Sequence, residues 1–144
     1  HYLDLLQYEE FAQKNQSPTT PAVPLLYALD QQLADIEAET LEARYARHRA
    51  MADPCASRIR RMQDSGRAVS LTAKAELLSP TVTCVTVPSN QPVLAGMQRR
   101  GYTLGGGQSE LAKTSFRIGH MGDHTLGGLH AMLDVLDEVL QTIG

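Results

Sequence analysis

Phe116-Arg117-Ile118-Gly119-His120-Met121-Gly122-Asp123 is the run from which the fold can be read. One arginine stands between two β-favouring apolar residues, and glycine follows at once. The pattern predicts a strand over Thr114–Ile118 that ends in a glycine turn and holds Arg117 at a rigid edge. An arginine so placed offers a planar fork of donors suited to a carboxylate or a phosphate. The plainer reading of the same residue is an ion pair at the surface.

Toward the C-terminus, Asp123 or Thr125 caps a final helix. Its stripe is Leu126, Leu129, Met132, Leu133, Leu136, Val139, Leu140 and Ile143, the clearest amphipathic pattern in the chain. Toward the N-terminus, Gly105-Gly106-Gly107 reads as a hairpin turn after a short strand Tyr102–Leu104. The triplet lacks the lysine and the spacing of a phosphate-binding loop. Asn90 or Gln91 starts a short helix that Gly101 stops. Thr81–Val87 is the best strand, alternating and β-branched between Pro80 and Pro88, with Thr83, Val85 and Val87 on one face. Gly66 is a left-handed helix cap, and a short strand is expected within Arg67–Leu71.

Further upstream, apolar residues recur at helical spacing through Leu26, Leu29, Leu33 and Ile36, then Leu41, Tyr45, Ala52, Ile59 and Met62. The pattern predicts two helices or one bent helix, with Pro54 kinking or restarting the second. The opposite face carries Glu37, Glu39, Glu42, Arg44, Arg47 and Arg49, and His48 reads as solvated among them. Pro18-Thr19-Thr20-Pro21 breaks the chain, with Thr20 as a cap and Pro21 as the first helical residue. Tyr2–Lys14 is helical in spacing. The expected class is therefore α/β of the α+β kind: a small, mostly antiparallel sheet with helices packed on one face, preceded by a long helical segment.

The 144 residues carry a net charge of −3, 42% hydrophobic and 20% charged residues. This is the composition of a folded globular domain. The acidic balance argues against a nucleic-acid surface, and the lack of tryptophan against a stacking platform. No run approaches a membrane span and no signal peptide opens the chain, so a cytoplasmic protein is expected. Cys55 and Cys84 lie far apart and read as reduced, buried small residues. His120, Asp123 and His124 are the one metal-like cluster, but Gly119 and Gly122 interrupt any helix and a third ligand is not evident. No metal is expected.

The run Phe116–Asp123, with the glycine triplet ahead and the long helix behind, resembles the C-terminal part of class V aminotransferases. These are pyridoxal-phosphate enzymes of fold type I that include the alanine–glyoxylate and serine–glyoxylate transaminases. The resemblance is strongest at Thr19–Leu33, Glu42–His48, Ser79–Val87 and Phe116–Asp123. It implies that Arg117 binds the substrate α-carboxylate and that Thr19 reaches the cofactor phosphate of a neighbouring subunit, hence a homodimer. Local chemistry permits the second role, though capping a helix would explain Thr19 and Thr20 equally. Where the family often has a phosphate-contacting tyrosine, this chain has Gln16, which would offer an amide instead.

The resemblance further implies that 1–20 are the end of a large domain and 21–144 a C-terminal small domain. The chain opens on His1, which suggests a segment of something longer. The family's cofactor lysine belongs to the large domain, and Lys14, Lys74 and Lys113 do not sit in its pattern. The expected function is the C-terminal domain of an enzyme moving an amino group between an amino acid and a small 2-oxoacid such as glyoxylate or pyruvate. As this segment alone it is expected to be inactive. The alternative is a stand-alone module, derived from such an enzyme, that binds a small carboxylate or dimerises.

Overall fold

A computed structural model describes residues 3–143. Tyr2, where the first helical stretch was expected to begin, lies outside them. Residues up to Leu41 form one compact unit and residues from Glu42 form a second.

The first unit holds two helices. Helix α1, Leu5–Ala12, is capped by Asp4, whose carboxylate accepts from the Gln7 amide at 3.2 Å. Helix α2 spans Val23–Glu39, with Ala22 at its cap and a proline in its first turn. The helix thus begins beyond the Thr20–Pro21 start read from the sequence. Neither helix buries a residue. The leucine row of α2 is open to solvent, with Leu25, Leu26, Leu29 and Leu33 each more than half exposed. Thr40, at φ 72°, ends α2.

Helix α3 is Leu41–Asp64 and carries Pro54 inside it. Two helices separated at Thr40, with the proline absorbed into the second, resolve the expected choice. The buried face of α3 is Met51, Cys55, Ala56, Ile59 and Met62. Leu41 and Tyr45, placed on that stripe from spacing, stay about half exposed. Gly66 closes the helix at φ 88°, with the Arg67 amide bonded to the Met62 carbonyl, as a left-handed cap requires.

The second unit continues with β1 (Ser70–Leu71), β2 (Val82–Thr86), α4 (Asn90–Arg99), β3 (Gly105–Gly106), β4 (Ser115–Gly119) and α5 (Leu126–Ile143). The four strands form an antiparallel sheet in the order β1-β2-β4-β3. With long helices at its N-terminal end, the chain is α+β. Thr83 and Val85 of β2 are buried, so of the two faces that the alternation separates theirs is the one turned to the core. Phe116 and Ile118 of β4 point to the same core. That core also takes the buried faces of α3, α4 and α5.

Strand β3 falls on the glycines, where a turn was expected, while Tyr102–Leu104 is not strand. Glycine has no side chain to show a strand period, so the pairing of Gly105 with Arg117 and Gly106 with Phe116 leaves no sequence trace. Thr125 is the cap of α5: its hydroxyl accepts from the Gly128 amide at 3.1 Å. Helix α5 buries Leu129, Met132, Leu133, Leu136, Val139 and Leu140. Gly96 of α4 lets the two helices approach, since a methyl there would lie 2.7 Å from a Val139 methyl.

Candidate functional site

The site is built at the end of β4. Alternation along that strand sends Phe116 and Ile118 into the core and Arg117 to the other side, opposite Cys84 of β2 and Gly105 of β3. Arg117 is half-buried and its Nε donates to the Gly106 carbonyl at 2.9 Å. Among the described residues it has no carboxylate partner, so the surface ion pair allowed by the sequence is not formed. It lines a cavity of about 380 Å³ together with Tyr102, Leu104, His120, His124 and Met132. Among the described residues no aspartate or glutamate lines that cavity. Its polar chemistry suits an anion with a small apolar body.

His120 is wholly buried at the same wall. Its amide donates to the Thr81 carbonyl at 2.9 Å, and its Nε2 shares a 3.0 Å hydrogen bond with Thr83 Oγ1. Burial pushes its pKa below the usual histidine value. The backbone carbonyls of His120 and Pro80 oppose that shift, and His48 adds slightly to it. His120 is therefore a neutral imidazole near pH 7. Its Nδ1, and Nε2 of His48, are buried without a hydrogen-bond partner among the described residues. Reading His48 as solvated is thus corrected: helix α3 turns it partly inward, one turn before buried Met51. On the same helix, Cys55 is buried and its thiol pKa is pushed up by desolvation, with a Thr83 hydrogen bond acting the other way.

Arg47 supplies what sequence reasoning missed. Its charge-rich surroundings suggested a solvated face, yet it is half-buried and its Nη1 donates to the Gly122 carbonyl, with His124 O at 3.4 Å. It thereby pins the loop between β4 and α5 at the cavity mouth. No spacing rule could have revealed a contact between residues 75 positions apart. His124 and Asp123 are exposed while His120 is buried. Among the described residues no three His, Cys, Asp or Glu side chains come together as metal ligands.

Thr19 and Gln16 belong to the first unit, in the link between α1 and α2. Both are exposed. The Thr19 carbonyl accepts from Ser17 Oγ at 2.6 Å, and the Gln16 amide donates to Phe11 O at 3.0 Å. Their side chains make no hydrogen bond among the described residues.

No family model matches the chain. Curated relatives do. Serine–glyoxylate aminotransferase of Methylorubrum extorquens is 35% identical over 121 residues, covering 77% of this chain and 29% of that protein. The solved alanine–glyoxylate aminotransferase of Nostoc sp. superposes with a TM-score of 0.72 at 27% identity, over 85% of this chain and 32% of that one.

The chain is homologous to the class V aminotransferases.

It is related to the C-terminal part of these aminotransferases and spans about a third of the length of the curated relatives it matches. One of them, the soluble hydrogenase 42 kDa subunit of Anabaena cylindrica, is 30% identical over 147 residues, covering 100% of this chain and 37% of that protein. Among the described residues no helix is long and apolar enough to cross a membrane.

Proposed function

We propose that this chain is the substrate-closing small domain of a pyridoxal-phosphate-dependent class V aminotransferase, acting on an amino acid and a small 2-oxoacid such as glyoxylate or pyruvate. The observation that carries the reading is Arg117: a half-buried guanidinium that, among the described residues, has no carboxylate partner and stands at the wall of a cavity no acidic side chain lines. Its fork would hold the substrate carboxylate and so fix the reacting carbon relative to the cofactor.

The residues present fit the cofactor at one end only. Thr19 and Gln16 offer an exposed hydroxyl and amide that suit a phosphate, which in this reading belongs to the other subunit of a homodimer. None of the lysines fits a covalent anchor. Lys14 is exposed and tied to Glu10 at 2.8 Å, while Lys74 and Lys113 are exposed and away from the cavity. Pyridoxal phosphate, when bound, supplies the electron sink for amino transfer. This chain's own part is to bind and orient the carboxylate and to shield it from water. The amino donor, the homodimer and a cytoplasmic location all belong to the same reading.

A chimera tests it, with this chain replacing the matching part of the Methylorubrum extorquens enzyme. Amino transfer is expected in the chimera, and Arg117→Ala should lower kcat/KM by about 100-fold or more, from loss of a bidentate charged pair. An active chimera indifferent to Arg117→Ala would overturn the carboxylate role. Borohydride reduction of the chain alone with pyridoxal phosphate should label no single lysine. Specific labelling of one would overturn the division of labour.

A further inference from the structure

The glycines of β3 have a task that neither a turn nor a phosphate loop explains. Gly105 lies directly opposite Arg117 in the β3–β4 ladder. A methyl built on Gly105 would sit 3.4 Å from Arg117 Nε, 3.4 Å from Nη2 and 3.6 Å from Cζ. The guanidinium therefore folds back over the glycine, on the side where a side chain would stand. Gly105 does not have the positive φ found at Gly66, Gly101 and Gly122. The backbone would accept any residue here, and a methyl would rest against the guanidinium at the near edge of ordinary contact. Next to it, the Gly106 carbonyl takes the single Nε proton at 2.9 Å.

We propose that Gly105 and the Gly106 carbonyl are the positioning elements of the carboxylate site. They seat the Arg117 head flat on β3 and leave its terminal Nη1 and Nη2 atoms as the fork offered to a ligand. The inference rests on the carboxylate role of Arg117 proposed above, and it specifies the approach. A guanidinium can meet a carboxylate through Nε and one Nη, or through both Nη atoms. With Nε held by backbone, the second mode is the one left. The ligand carboxylate then lies at the tip of the side chain, in line with the Nε–Cζ direction.

A methyl at 105 would meet the head at the near edge of ordinary contact, whereas a branched side chain would reach into its place and displace it. The effect on binding is therefore graded. In the 144-residue chain, pyruvate is the probe, hydroxyacetone the uncharged analogue with a hydroxymethyl in place of the carboxylate, and the Arg117 Nε–H resonance the direct reporter. Gly105→Ala should weaken pyruvate binding by about threefold at most and Gly105→Val by about tenfold or more, in keeping with the steep dependence on placement. Hydroxyacetone should be unaffected and the melting temperature not lowered by the alanine. Exchange of the Arg117 Nε proton should quicken by about tenfold or more in Gly105→Val, as a held proton becomes free.

Should Arg117→Ala bind pyruvate as well as the unaltered chain, the carboxylate role itself fails. If Arg117→Ala loses pyruvate but both Gly105 variants keep it, with an unaltered Nε proton, the role stands and the positioning proposal is overturned.

Discussion

Gly107→Ala is the sharpest perturbation of the site's scaffold. A methyl at that position would stand 2.1 Å from the Leu111 carbonyl oxygen, 2.8 Å from its carbon and 2.3 Å from Ser115 Oγ. Two of those atoms are backbone, so the chain must part by about 1 Å to restore ordinary carbon–oxygen contact. Such a shift breaks the 3.0 Å bond from Ser115 Oγ to Leu111 O and strains that from the Gly107 amide to Ser115 O, now 2.9 Å. Ser115 is wholly buried, so its hydroxyl would be left unpaired away from water. An orphaned buried polar group costs about 1–3 kcal/mol and a lost exchangeable bond about 1 more, which places the change at about 2–4 kcal/mol.

Urea unfolding followed through the Ser115 and Phe116 amide signals reads the cost on the sheet itself. Gly127→Ala is the matched control. It lies in α5 with nothing within 4 Å of the added methyl, and should be neutral or stabilising by up to about 1 kcal/mol. A Gly107→Ala variant that loses less than about 0.5 kcal/mol would refute the steric reasoning, because a plain surface substitution costs that much.

Other expectations follow from the same coordinates. Leu136→Ala empties a fully buried position on α5 and should cost about 3–4 kcal/mol in thermal or denaturant unfolding. His120 titrates below its ordinary value of 6.5 when folded, so near that pH the unfolded chain binds more protons. Stability should thus fall as pH drops through about 6.5, and His120→Gln, though weaker overall, should show a flatter slope there. Arg47→Ala frees the Gly122 and His124 carbonyls and should speed hydrogen exchange in the 119–125 loop while leaving that of β2 unchanged. Equal exchange in loop and strand would count against the pin.

Strong periodicity made some parts of the molecule legible beforehand. In α5 the three- and four-residue spacing marked the buried side, and only Leu126 and Ile143 at its ends escaped burial. In β2 the two-residue alternation put Thr83 and Val85 on one face, and only the packing shows that this face is the buried one. Glycine defeats both periods, which is why β3 reads as a turn. Helix α3 shows another limit. Its spacing continues back to Leu41 and Tyr45, but a stripe states which residues can share a face, not how far along it a core extends. The position of Arg117 at a strand end was readable, whereas its seat on β3 was not. The contacts of Arg47 and His120 join segments distant in sequence, and local composition is silent on those.

Helix α2 has a practical corollary. With no residue fully buried, its seventeen residues keep their shape mainly through internal amide bonds. Proteases should nick it early, and its deuterium uptake should be near complete while α5 is still protected. A preparation of the chain should also cling to hydrophobic resin through that leucine row until some other surface covers it.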